Sequence, residues 1–89
     1  MSVTIGGIEF DNVVYDREAD VLYLSRGDKR PATEFDASPE GHYLRYDADG
    51  GLFGITIVNA RHIFGRDGAI PITLPKHRVE AVDLAAVLR

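Results

Sequence analysis

The sequence predicts an α+β fold: a small antiparallel β-meander sheet, a short helix after the central hairpins and a short C-terminal helix. Three observations predict it. The stretch Val14-Tyr15-Asp16-Arg17-Glu18-Ala19-Asp20-Val21-Leu22-Tyr23-Leu24 is an apolar, β-prone run, a polar turn and a second apolar run. Tyr46-Asp47-Ala48-Asp49-Gly50-Gly51-Leu52-Phe53-Gly54-Ile55 has the same form. Such patterns fold antiparallel strands back on themselves. After Ile57-Val58 the texture changes, and Asn59 stands where a helix N-cap would.

Taken in order, Ile8 to Tyr15 begins with alternation at Ile8 and Phe10 and ends on Val13-Val14-Tyr15, which reads as a strand. Asp16 takes the first turn position, where its carboxylate accepts backbone N–H bonds. Val21-Leu22-Tyr23-Leu24 is apolar on both faces and predicts a central strand covered on both sides. Gly27 to Pro31 is a polar loop, Thr33-Glu34-Phe35 a short edge strand, and Ser38-Pro39-Glu40-Gly41 a turn. From His42 to Tyr46, alternation puts His42, Leu44 and Tyr46 on one face and Tyr43 and Arg45 on the other. Val13–Tyr15 is expected to pair with Val21–Tyr23, and Tyr43–Tyr46 with Phe53–Ile57.

Asp47 to Gly51 suits a type I turn, with Gly50 in the left-handed region. Phe53, Ile55 and Ile57 follow at period two with Thr56 facing away, and Gly54 marks a close approach by a neighbouring chain or aromatic ring. Ala60 to Phe64 gives one or two helical turns ended by Gly65, then Arg66-Asp67-Gly68 turns the chain. Ile70 to Leu74 alternates again, but Pro71 confines it to an edge. Val79 to Val82 is either a final strand or the start of a helix. Asp83 is placed to cap Leu84 to Leu88, whose Leu84, Val87 and Leu88 share a face.

Eighty-nine residues, 45% hydrophobic and 27% charged, describe one ordinary folded domain spanning 1–89. No apolar run reaches the ~18 residues of a membrane-spanning helix. Met1 to Gly7 shows no signal peptide, and the absence of cysteine removes disulfides, thiolate zinc sites and cysteine nucleophiles. The expectation is a cytoplasmic protein. Residues 1–50 carry a charge balance of −6 and residues 51–89 one of +2. That acidic half argues against sequence-independent nucleic-acid binding and fits docking onto a basic protein partner.

The candidates for chemistry are few. Asp16, Glu18 and Asp20 are oxygen ligands for a hard cation or acidic docking groups, with turn capping the plainer role. Asp47-x-Asp49-Gly50 opens like a calcium loop, yet the sixth and twelfth positions are Leu52 and Val58 where Gly and Glu are required. His42, His62 and His77 lack metal-pair spacing. Ser2, Ser25 and Ser38 stand in no nucleophile elbow. Arg61, His62, Arg66, Lys76, His77 and Arg78 form a basic end without a helix-turn-helix. No catalytic, cofactor or metal site emerges. Tyr15, Tyr23, Tyr43 and Tyr46 are the better set, because half-exposed strand tyrosines serve either interfaces or cross-strand packing. Asp16, Glu18, Asp20, Tyr15 and Tyr23 are the candidates for partner docking, and Tyr43 and Tyr46 for self-association as a homodimer.

The run Tyr15-Asp16-x-Glu18-Ala19-Asp20-Val21-Leu22-Tyr23-Leu24, followed by Leu44-x-Tyr46-Asp47-x-Asp49-Gly50-x-x-x-Gly54-Ile55-x-Ile57-x-Asn59-Ala60, resembles the bacterial domain-of-unknown-function family 2283. The resemblance spans residues 12–64, with 65–89 as a C-terminal extension. It supplies no activity or catalytic residues and implies an antitoxin-like role. Three readings therefore stand together: an interaction module, a small enzyme or ligand-binding domain, and a structural homo-oligomer.

Overall fold

A five-stranded antiparallel sheet carries the molecule, and the other described elements pack on one of its faces. The computed structural model describes residues 2–27, 34–48, 51–74, 78–82 and 84–88. Its elements are β1 (Val3–Ile5), β2 (Ile8–Phe10), β3 (Asn12–Asp16), β4 (Val21–Ser25), β5 (Glu34–Ala37), β6 (Tyr43–Tyr46), β7 (Leu52–Val58), α1 (Ala60–Asp67), β8 (Ile70–Thr73) and β9 (Arg78–Ala81).

The large sheet runs β3-β4-β7-β6-β5. Both expected hairpins form, with Val14 opposite Tyr23 and Leu44 opposite Ile55. The order is not a simple meander. β5, β6 and β7 form one meander whose last strand docks beside β4, so the chain crosses to the far edge after β4. The strand expected from Ile8 to Tyr15 divides in two, because β2 pairs with β1 and β3 pairs with β4. The missed hairpin β1–β2 closes on Gly6 and Gly7, with φ of 60° and 81°. Two positive φ values in a two-residue loop are what a primed turn requires, and glycine adopts them freely. Val79 resolves as strand, since β9 pairs with β8 from Ile70↔Ala81 to Thr73↔Arg78.

Alternation in β4 buries Leu22 and Leu24 and leaves Tyr23 exposed, so this strand is covered on one face only. Leu22, Leu24, Leu44, Ile55 and Ile57 form the inner face of the core. Against them pack Val3, Ile5 and Phe10 from the first hairpin, Ala60, Ile63 and Phe64 from α1, and Ile70 and Ile72 from β8. Leu84 and Leu88 join the same cluster.

Three local expectations need correction. The helix does not stop at Gly65 but runs to Asp67, where Gly68 at φ 71° donates its N–H to the Phe64 carbonyl. Residues 84–88 form a hydrogen-bonded turn, the Val87 and Leu88 N–H groups both reaching the Leu84 carbonyl, and not a C-terminal helix. Five residues offer too few backbone bonds to offset helix nucleation. Phe53 is buried but outside the core cluster, because a bulge between Arg45 and Tyr46 pairs Tyr46 with Leu52 and turns Phe53 to the opposite face. Thr33, Gly50 and Asp83, and with them the expected left-handed turn glycine and the C-terminal cap, lie outside the described residues.

Candidate functional site

The start of α1 is built by a residue 41 positions away in sequence. Asn59 precedes the helix at φ 56°, and its side chain makes no capping bond. Asp20 caps instead. Its Oδ1 accepts the Arg61 N–H at 2.7 Å, its Oδ2 accepts the His62 N–H at 3.2 Å, and its carbonyl accepts the Ala60 N–H at 3.1 Å. The Tyr15 hydroxyl donates to Asp20 Oδ1 at 2.7 Å. A carboxylate here satisfies orphan donors and faces the positive end of the helix. Burial alone would raise the Asp20 pKa, but the bonds from Tyr15, Arg61 and His62 outweigh it and lower it. Burial, and then the Asp20 bond, raises that of Tyr15.

The acidic trio is therefore not one group. Asp16 Oδ1 accepts the Glu18 and Ala19 N–H groups, each at 3.1 Å, and caps its own turn as expected. Asp20 belongs to the helix. Glu18 is exposed. Among the described residues, no three His, Asp or Glu side chains gather where they could hold a metal ion.

A second polar junction ties the β5–β6 turn to β8. Glu40 accepts the Thr73 N–H at 2.9 Å and the Thr73 hydroxyl at 2.6 Å. Burial opposes ionisation, yet the two Thr73 bonds and one from Ser38 hold its pKa at about 2. Ser38 accepts the His42 N–H at 3.2 Å. The His42 ring is 1% exposed, and its nitrogens make no hydrogen bond of good geometry, the Pro71 backbone being the polar group nearest in effect. Burial lowers its pKa, against the Pro71 backbone and Glu40, which favour the charged form. Beside this junction, Asp36, Ser38, Leu44, Tyr46, Thr73 and Leu74 line a cleft of about 240 Å³. That is smaller than the ~300–1,000 Å³ of ordinary small-molecule sites.

The four tyrosines divide between the two faces. Tyr15 and Tyr46 pack against the core, whereas Tyr23 and Tyr43 are 41% and 52% exposed on the uncovered face. Pairing joins them into one row across all five strands: Val14–Tyr23–Thr56–Tyr43–Ala37. Next to it runs the row Asn12–Ser25–Gly54–Arg45–Phe35. The close approach at Gly54 comes from Arg45, whose guanidinium carbon sits 5.5 Å from the Phe53 ring centroid. Sequence reasoning named Tyr23 and Tyr43 but separated them, and missed Val14, Phe35 and Thr56. Their alternation was readable in each hairpin; the shared face required the β4–β7 pairing.

A Cβ on Gly54 would stand 2.6 Å from Arg45 Nε and 2.7 Å from Nη2. Gly54→Ala should therefore push Arg45 off Phe53 and cost about 1 kcal/mol, the scale of a cation–π contact plus lost packing. Denaturant melts check it. In an Arg45→Ala background the same change should cost far less, and equal costs in both backgrounds would refute the clash.

The family model described as Protein of unknown function (DUF2283) matches residues 12–61. The chain belongs to this family. The DUF2283 span starts at β3 and ends two residues into α1, so it contains the whole five-stranded sheet and its open face. It also contains Tyr15, Asp20, Asn59, Ala60 and Arg61, the junction that launches the helix. The two flanking hairpins, which supply much of the cover on the inner face, lie outside the span. Comparison with curated proteins and with solved structures gave no match. Among the described residues, no helix is long and apolar enough to cross a membrane.

Proposed function

We propose that this protein is a protein–protein interaction module that binds through the uncovered face of its five-stranded sheet. One observation carries the reading. Of the five large hydrophobic side chains exposed among the described residues, Val14, Tyr23, Phe35 and Tyr43 lie on that single face, and only Val82 lies elsewhere. Scattered exposed hydrophobics are ordinary, whereas a set gathered on one sheet face marks a binding surface. Tyrosine suits it, since the ring buries area while the hydroxyl stays solvated at the rim.

The face is rigid before any partner arrives, because β4, β7 and β6 are fixed from beneath by Leu22, Leu24, Leu44, Ile55 and Ile57. Preorganisation lowers the entropy lost on binding. An antitoxin-like role would be one use of such a module. Docking through Asp16, Glu18 and Asp20 has less support, because two of the three carboxylates have partners within the chain.

The test is capture by a tagged protein in its native cell, with an untagged copy present. Wild type should recover a protein, the untagged copy included, and Tyr23→Asp with Tyr43→Asp should abolish the recovery. Identical recoveries from wild type and variant would overturn the reading.

A further inference from the structure

We infer that the occupant of the open face is a second copy of this chain, packed sheet on sheet about a two-fold axis parallel to β7, with Tyr23 of each copy against Tyr43 of the other. The inference rests on the interaction-module reading and names its partner.

The first argument is symmetry. The row across the face reads Val14, Tyr23, Thr56, Tyr43, Ala37 from one edge to the other. It is apolar, Tyr, Thr, Tyr, apolar, a palindrome centred on the middle strand β7. An axis along β7 in the plane between two copies reverses the strand order while keeping the level along the strands. Thr56 then meets Thr56 of the second copy, each Tyr23 meets a Tyr43, and each Val14 meets an Ala37. Every contact in this row is then made twice, as in any isologous interface, and in the next row the same axis sets Arg45 beside Ser25 and Phe35 beside Asn12 of the second copy. The largest side chains in this row stand either side of the small Thr56, leaving room at the axis for the rings to interleave.

The second argument is charge. The chain carries −4 overall, so two copies repel at a distance. On the open face the described strands contribute two charged side chains, Asp16 and Arg45. Asp16 is held by its own turn, and Arg45 lies over Phe53. Opposite signs leave the face without net charge. A second copy meets no repulsion there, and a strongly basic partner finds no complement.

The third is area. β3, β4 and β7 present three outward levels and β5 and β6 two, so strands ~4.8 Å apart with levels ~6.8 Å apart give a face of roughly 400 Å². Two such faces bury roughly 850 Å², below the size of standard stable interfaces, so the dimer is weak and reversible.

Light scattering over a concentration series tests it. Wild type should rise from 9.8 kDa toward twice that mass. Tyr23→Asp and Tyr43→Asp should each weaken association by about tenfold or more, as removal of a central interface aromatic does. Tyr23→Lys combined with Tyr43→Asp places each lysine against the other copy's aspartate and should bring association back to within about tenfold of wild type. That recovery also shows that the charge-swapped chain is folded, and circular dichroism matching wild type shows the same for the single variants. A wild type that stays at 9.8 kDa overturns the second copy, as do single variants that leave the dimer unchanged. A charge-swapped chain as weak as the single variants overturns the Tyr23–Tyr43 pairing. If wild type is monomeric yet captures another protein through Tyr23 and Tyr43, the dimer falls and the interaction module stands. If capture is also indifferent to those residues, both fall.

Discussion

Asp20→Ala is expected to destabilise the fold by about 2–4 kcal/mol, a large part of what a domain of this size has. The figure combines three losses. The Arg61 and His62 N–H groups lose their acceptor at the start of α1, worth about 1 kcal/mol for a helix cap. The part-buried Tyr15 hydroxyl loses its 2.7 Å partner, at about 1 kcal/mol. Residue 20 also sits at φ 56°, a conformation aspartate tolerates better than alanine. Tyr15→Phe alone should cost about 1 kcal/mol, and it should cost little once Asp20 is already alanine, because the two act as one unit. Urea melts of the four chains measure this. Amide exchange localises it, with Arg61 and His62 losing protection first. A variant that melts like wild type would show that Asn59 or solvent caps the helix equally well.

Acidification is the second large effect. His42 is buried and neutral, with a folded pKa below its ordinary value of 6.5. The unfolded chain therefore binds more protons near pH 6, and stability falls as the pH drops from about 6.5 toward that lowered folded value. Glu40 acts in a lower window. Its pKa of about 2 against an ordinary 4.5 gives stability that is full above pH 4.5 and is lost as pH falls toward 2. After allowance for solvent screening at a partly exposed carboxylate, that loss is about 2 kcal/mol. Asp20, also lowered, adds to the acid loss below its ordinary 3.8. Both limbs have the same sign, so the protein should be most stable between about pH 7 and the onset of tyrosine ionisation near pH 10, where the raised Tyr15 and Tyr46 turn the slope over. Melts of His42→Leu should lose the slope that begins below pH 6.5 and match or exceed wild type at lower pH, since an apolar side chain cannot acquire a buried charge. Glu40→Gln should flatten the limb below pH 4.5. A slope near pH 6 that survives His42→Leu would assign it to another group.

These two predictions draw on the contacts that sequence reading reached least. Both hairpins, the Asp16 turn and the inward set His42, Leu44 and Tyr46 were legible, because turn chemistry and period-two alternation act over a few residues. Gly6-Gly7 between Ile5 and Ile8 carried an equally local signal for the first hairpin. The bulge that turns Phe53 outward was hidden, since one inserted residue leaves the apolar pattern looking regular while reversing which side faces the core.

By itself, then, the sequence determined the family, the antiparallel pairing of β3 with β4 and of β6 with β7, and the alternation of faces along those strands up to the bulge at Phe53. The tertiary structure decided which face is covered. Asp20 reaches α1 across 41 residues and Glu40 reaches Thr73 across 33, and neither partner can be inferred from neighbours in the chain. The docking of β7 beside β4 puts Tyr23 and Tyr43 on one surface. Local propensity fixes how a strand alternates. Only the competition among all the apolar segments for burial fixes which alternate set is covered, and here the flanking hairpins, α1 and the C-terminal turn all pack on the side of Leu22 and Ile55, leaving the tyrosine row open.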